Sequence, residues 1–324
     1  MYPADVSQDR PLDVFMAHMD VVFSDETELP LRVEDGRIYC PGVGDDTACL
    51  VCLLLAGKYI ARHVDSPSWR EIRGEDAPGL LLVCNAGEEG LGNLKGVRKI
   101  CEDYGGRIKS LCTFDRSLSS IVDRAVGSKR FRVKVRTRGG HSYNDFGNDN
   151  AIAGLASLVG KLYKIQVPEG GKTTYNVGMI SGGTSVNTIA QEAEMLYEFR
   201  SDKRENLEYM ERQFMEVLDR AKAEGTDVSF QVIGVRPCEG QVDPAQKQAL
   251  TDWAHRVVEE MTGQAPKHHA GSTDCNIPLS LGIPSVCVGS FRGAGAHTRE
   301  EYVETDSLEE GYKVAFGMIF GRRD

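Results

Sequence analysis

The chain has 324 residues, 41% of them hydrophobic and 7% aromatic, with 38 Lys and Arg against 48 Asp and Glu for a formal charge of −10. That length points to two domains, and the composition excludes disorder, collagen-like repeats and coiled coil. A sequence isoelectric point near 5.3 argues against nucleic acid and membrane surfaces as partners, since both require a basic face.

The opening residues, Met1-Tyr2-Pro3-Ala4-Asp5, lack the basic-then-apolar pattern of a secretory leader, and no apolar run reaches the ~18 residues that span a bilayer. Nine cysteines, an odd number set mostly in apolar runs, fit a reduced, cytoplasmic protein. In chain order, an apolar strand is predicted at 12–17, a strongly apolar helix at 47–60, a charged surface loop at 62–78 and a strand at 79–84. A helix at about 91–104 and a strand at 111–114 follow. Near-continuous apolar strands alternating with helices predict a mostly parallel sheet covered on both faces.

The pattern then changes. Residues 131–137 (FRVKVRT) alternate apolar and cationic, predicting a strand with one wet face. Next come a helix at about 150–163, strands at 175–180 and 193–200, a helix at 205–223 and a strand at 228–235. This β-α-β-β-α-β order is the ferredoxin-like split unit. The first pattern returns with a helix at 244–261, a strand at 284–289 and a helix from 306. The expected fold is therefore α/β, with a discontinuous domain (1–122 and 237–324) on a mixed, mostly parallel sheet and an α+β domain (123–236) inserted into it.

Residues able to do chemistry recur at the carboxyl ends of the predicted strands: His18 and Asp20, Asp45 and Asp46, Glu88 and Glu89, Asp115, and His297 in a Gly-Ala-rich loop. Singly, each reads as a turn residue, a helix cap or a dipole partner. Asp45-Asp46 precedes a helix, yet one cap needs only one Asp. Together they fall where open α/β sheets bind ligands, and imidazole mixed with carboxylate suits zinc, manganese or cobalt rather than calcium. The ligand number is enough for two ions.

The order His18-Met19-Asp20, Gly44-Asp45-Asp46, Glu88-Glu89-Gly90, Asp115 and a late His297 closely resembles the di-zinc exopeptidase and deacylase family. That family contains peptidase T, glutamate carboxypeptidase, succinyl-diaminopimelate desuccinylase, acetylornithine deacetylase and aminoacylase. The resemblance implies that His18 and Asp115 hold one metal ion, Glu89 and His297 another, and Asp45 both, with Asp20 orienting His18 and Glu88 as general base. It also implies a cis peptide between Asp45 and Asp46. The inserted domain would be a lid and dimerisation domain. There His141, in Gly139-Gly140-His141-Ser142, would reach across a homodimer to the scissile carbonyl, while Asn187 and Arg200 would grip the substrate. Gly271 and Ser272 resemble a substrate-facing loop. The chain departs from the family at Thr47, where a Lys is frequent, and in beginning its His-x-Asp strand about a dozen residues from Met1; the loss of a preceding helix would expose apolar surface.

The implied activity is metal-dependent hydrolysis of an amide in small peptides or N-acyl amino acids, with two divalent ions per chain, zinc first and cobalt or manganese as alternatives. The rivals are an N-acyl amino acid deacetylase rather than a peptidase, a degenerate member that only binds, and a carboxylate-pair glycosidase, which has no use for His18 and His297. Cys49 and Cys52 form C-x-x-C inside an apolar helix, where core packing explains them. His268-His269, adjacent on a presumed strand, point to opposite faces and stay outside the ligand set.

Overall fold

The computed structural model describes residues 10–23, 28–64, 66, 74 and 77–321. Most of the predicted 62–78 loop and the first nine residues lie outside that set. In chain order, β1 (Leu12–His18), α1 (Cys49–His63), β2 (Gly79–Asn85), α2 (Lys95–Tyr104), β3 (Ile108–Phe114) and β4 (Ser120–Ala125) come first. Then follow β5 (Gly127–Arg136), α3 (Ala151–Leu162), β6 (Thr173–Gly182), β7 (Glu192–Ser201), α4 (Arg204–Ala223) and β8 (Asp227–Arg236). The chain closes with α5 (Pro244–Thr262), β9 (Lys267–Gly271), α6 (Asn276–Ser280), β10 (Ser285–Val288) and α7 (Ser307–Phe320). It divides into two compact units, one of residues 1–125 and 239–324, the other of residues 126–238.

The first unit is built on a six-stranded sheet of order β9-β4-β10-β3-β1-β2. Its pairings are parallel except that of β10 with β4. β1 is buried along its whole length, and its alternation feeds both faces. Phe15 and Ala17 join the core under α1, α5 and α7, whereas Leu12, Val14 and Met16 join that under α2 and α6. A strand covered on both sides must be apolar throughout, which is why the sequence showed it so plainly. Local signals set the helix ends: Asp243 Oδ1 accepts from the Gln246 N–H at 2.9 Å, Pro244 takes the first turn of α5, and Gly263 ends it with φ of 69°. α2 begins four residues later than predicted, because Asn93 and Leu94 both have positive φ. α1 leaves Val51, Leu54 and Leu55 exposed on one side. Among the described residues no helix is long and apolar enough to cross a membrane.

The second unit has an antiparallel sheet of order β8-β5-β7-β6. The wet face predicted for β5 is an ion-pair ladder, with Arg130 on Glu198, Arg132 and Lys134 on Glu194, and Lys134 also on Glu192. Its other face packs Phe131, Val133 and Val135 under α3 and α4. At the centre, the Phe214 ring lies 4.3 Å from Phe131 and 5.4 Å from Tyr197, centroid to centroid, and is fully buried. Phe214→Ala should therefore cost about 3–5 kcal/mol of stability, read by denaturant unfolding.

Candidate active site

The first unit's strands β1, β2, β3 and β10 run in parallel, so their carboxyl ends share one edge, and the acids and imidazoles of the sequence motif gather there. His18, the last residue of β1, is buried; its Nδ1–H donates to the Asp20 carbonyl oxygen at 2.9 Å, leaving Nε2 facing Asp45 Oδ1 at 3.1 Å. The other oxygen of Asp45 lies 3.1 Å from His297 Nε2, which is also 3.2 Å from Glu89 Oε1. One carboxylate thus faces two imidazoles that are 279 residues apart, from His18 to His297. His297 holds its position with φ of 66°, in the left-handed region.

Three neighbouring carboxylates hold backbone rather than one another. Asp20 accepts from the N–H groups of Gly87, Glu88 and Glu89 at 2.8, 3.3 and 3.0 Å, fixing the turn that carries the adjacent glutamates. Its carboxylate is 3.7 Å from His18 Nδ1, so the closer restraint on that ring is Asp20's own carbonyl. Asp46 uses Oδ2 to accept the His18 N–H at 3.0 Å, which accounts for the second aspartate of the pair. Glu301, buried, accepts from Gly42 at 2.6 Å and from Gly44 and Asp45 at 2.9 and 2.8 Å. The Asp45–Asp46 peptide is cis. Glu301 escaped the sequence reading because a side chain bonding backbone more than 250 residues away leaves no local pattern.

Concentrated negative charge dominates the electrostatics. Burial, then the charge of Asp45, pushes Asp115 up to about 6; burial, then Asp45 and Glu88, pushes Glu89 up to about 7. Burial opposes a charged His18, but contact with Asp45 and the charges of Asp46, Asp115 and Glu88 outweigh it and push that imidazole up to about 11. Asp274, whose Oδ2 accepts from Asn85 Nδ2 at 2.8 Å, is pushed up to about 7 by burial and by Glu88.

The donor set fits metal ions. Ligand atoms of His18, Asp46 and Asp115 lie within 4.8 Å of one another, as do those of Asp45, Glu89 and His297, and those of His18, Glu88 and Glu89. A mixed imidazole and carboxylate set suits zinc-like ions. Beside it opens a cavity of about 520 Å³, lined by Asp45, Asp115, Arg116, His269 and Gly271 among others. β9 presents its two histidines oppositely, as expected: His268 binds Asp123 through Nδ1 at 2.8 Å and His255 through Nε2 at 2.9 Å, while His269 lines the cavity.

The remaining sequence candidates lie in the second unit. The backbone N–H groups of Tyr143 and Asn144 donate to His141 Nδ1 at 3.2 and 3.4 Å, which leaves Nε2 of this exposed ring to carry a proton. Asn187 is beside it, its carbonyl accepting from the Ser142 N–H at 2.9 Å. Arg200 is held bidentately by Glu198, at 2.8 and 3.1 Å.

The sequence profile of peptidase family M20/M25/M40 matches residues 14–320. The chain belongs to that family. M20 membership makes it an amide hydrolase, with peptidase and deacetylase both open. It is 24% identical over 290 residues to an acetylornithine deacetylase of Myxococcus xanthus, covering 86% of this chain and 71% of that one. It is also 24% identical over 324 residues to a succinyl-diaminopimelate desuccinylase of Nitrosomonas eutropha, covering 93% and 80%. In fold it is similar to aminopeptidase PepT of Bacillus cereus, with a TM-score of 0.68, 22% identity and coverage of 97% and 81%. An M20 metallo-carboxypeptidase of Sulfolobus solfataricus gives 0.73, 16%, 97% and 85%.

Glu89 and Asp115 retain in the fold protons that the unfolded chain releases near pH 4, and His18 does the same above about pH 6.5. The metal-free fold therefore binds more protons than the unfolded chain and loses stability as pH rises through this window. Asp45, held below its ordinary range, acts with the opposite sign only at more acid pH. Metal-free protein should accordingly melt lower at about pH 8 than at about pH 5.5 in thermal scans.

Proposed function

We propose that this M20 enzyme is a metal-dependent hydrolase of small peptides or N-acyl amino acids. The observation that carries the reading is the Asp45 carboxylate, whose two oxygens each lie 3.1 Å from a different imidazole. On this reading His18 and Asp115 would hold one ion, Glu89 and His297 the other, and Asp45 would serve both; zinc would suit the set best, with cobalt or manganese as alternatives. When bound, such a pair supplies Lewis acidity, polarising a carbonyl and making water a stronger acid at neutral pH.

The chain's own residues do the rest. Glu88, buried on the turn gripped by Asp20, takes a proton from the attacking water and returns it to the departing nitrogen. The bond formed joins the water oxygen to the carbonyl carbon, the bond broken is C–N, and the proton leaves on the amine. Asp20 works as a positioning residue through the 87–89 turn and the His18 ring. The second unit acts as lid and dimerisation domain, its His141 offering Nε2–H to the carbonyl oxygen of the partner's substrate, with Asn187 and Arg200 gripping polar groups and Gly271 and Ser272 bordering the pocket. Nine free cysteines support a reducing, cytoplasmic setting.

The test is metal analysis joined to mutagenesis. Reconstituted protein should carry up to two transition-metal ions per chain, and chelation should abolish amide hydrolysis. Glu88→Gln should keep both ions and lose ~10²–10⁴ in kcat, whereas Glu89→Gln should lose metal first and regain activity at high metal concentration. Metal loss in the first variant and not the second reverses the two roles; full metal occupancy with no turnover on any amide leaves only a binding protein.

Action of His141 across a dimer is tested by complementation. Glu88→Gln and His141→Ala chains, each nearly inactive alone, should on mixed refolding recover about a quarter of wild-type activity, since random pairing gives half heterodimers with one good site of two. Verified heterodimers without recovery exclude the trans role.

A further inference from the structure

The cavity beside the metal-type cluster carries charge of both signs. Asp45, Asp115 and Glu301 line one part of it, and Arg116 and His269 also border it. Arg116 directly follows Asp115 and holds φ of 91°, a backbone state that residues with a Cβ rarely adopt. The neighbouring chain locks it there: the Arg116 carbonyl accepts from the Ser290 N–H at 3.2 Å, and the Leu118 N–H donates to the Phe291 carbonyl at 2.7 Å. Backbone held in a sparsely populated state beside a reaction centre is a recurrent mark of function.

The guanidinium acts on Asp115 and Asp45 through its charge, helping both stay ionised, yet it reaches ion-pair distance of neither. Among the described residues Arg116 makes no side-chain hydrogen bond and no ion pair. Other arginines contrast with it, Arg200 on Glu198 and Arg292 on Glu310. His269 is similarly unengaged, because its neighbour His268 takes the contacts with Asp123 and His255 on the opposite face of β9. Gly293, Ala294, Gly295 and Ala296 keep the cavity wall low, so the Arg116 and His269 side chains border open volume.

We propose that Arg116, assisted by His269, binds a carboxylate that the substrate carries away from its scissile amide, making this enzyme selective for acidic amides: peptides with an acidic residue, or amides of dicarboxylic acids. Planar guanidinium recognises carboxylate bidentately, and the low wall leaves room for a short chain between that group and the acids of the cluster. The inference rests on the amide-hydrolase reading for its substrate, though not for its binding site.

Two measurements on metal-loaded protein decide it. The first compares kcat/KM on pairs that differ only by carboxylate against carboxamide: N-succinyl against N-succinamoyl amino acids, and Asp-X against Asn-X dipeptides. Wild type should prefer the acid in at least one pair, and which pair does so tells a dicarboxylic amide from an acidic peptide. Arg116→Ala, and Arg116→Gly to remove any backbone conflict, should cut that preference roughly tenfold to a hundredfold, with Arg116→Lys restoring part. An acid preference unchanged in both truncations, or absent from wild type, overturns the proposal. The second is calorimetric binding of glutarate against butyrate. Glutarate should bind wild type at least tenfold more tightly than it binds Arg116→Gly; equal binding overturns the proposal. Glutarate binding that depends on Arg116 in a protein that cleaves none of the amides would uphold the anion site and sink the amide-hydrolase reading instead.

Discussion

A single carboxylate stretched between two imidazoles sets the terms for the whole first unit. Asp45 must present one oxygen to His18 and the other to His297 while the acids around it repel one another. No regular element can hold it, because its backbone lies in the turn before α1. The chain meets this with other carboxylates used as clamps: Glu301 gathers three N–H groups of the Asp45 loop, Asp20 gathers three of the 87–89 turn, and Asp46 takes that of His18. Such charge-assisted bonds are short and directional, and they give loops the rigidity that helices get from their own ladder.

The arrangement separates two kinds of acid that composition alone cannot distinguish. Asp20, Asp46 and Glu301 have oxygens committed to backbone N–H donors, although burial still pushes Asp46 well above the usual carboxylate range. Among the described residues neither the Glu89 nor the Asp115 carboxylate accepts a backbone N–H, and burial, with the charges of Asp45 and Glu88, drives both toward protonation. Glu89 and Asp115 are both positions that the sequence motif assigns to metal ions, while the third carboxylate it assigns, Asp45, is held low by His18 and His297 against its burial.

What could be read in advance follows from this. Strands buried on both faces announce themselves, and β1, β2 and β3 were legible from apolar runs alone. So was the gathering of His18, Glu88, Glu89 and Asp115, because strand ends in a parallel sheet share an edge. β9 was harder, since Lys267, His268 and His269 are exposed and carry no apolar alternation. The short strands Arg32–Glu34, Arg37–Tyr39 and Tyr302–Glu304 pair among themselves far along the chain and were not foreseen. Arg116 could have been suspected from its adjacency to Asp115, but only φ and the missing partner give it meaning. Arg200, read as a substrate anchor, is already engaged by Glu198 in this structure.

The clamp on the Asp45 loop also dictates when the centre can exist. Glu301 lies 256 to 259 residues from the N–H groups it binds, and His297 arrives in the same stretch. During synthesis the inserted unit, residues 126–238, emerges whole and contains all its own strands. The split unit waits: β3 lacks its partner β10, and the core under α1 lacks α5 and α7, until residues 244–320 have emerged. For that interval β1 and β3 lack the partners that cover their apolar side chains in the finished fold. A chain ending before His297 would keep every strand of the inserted unit and lack one of the two imidazoles that face Asp45.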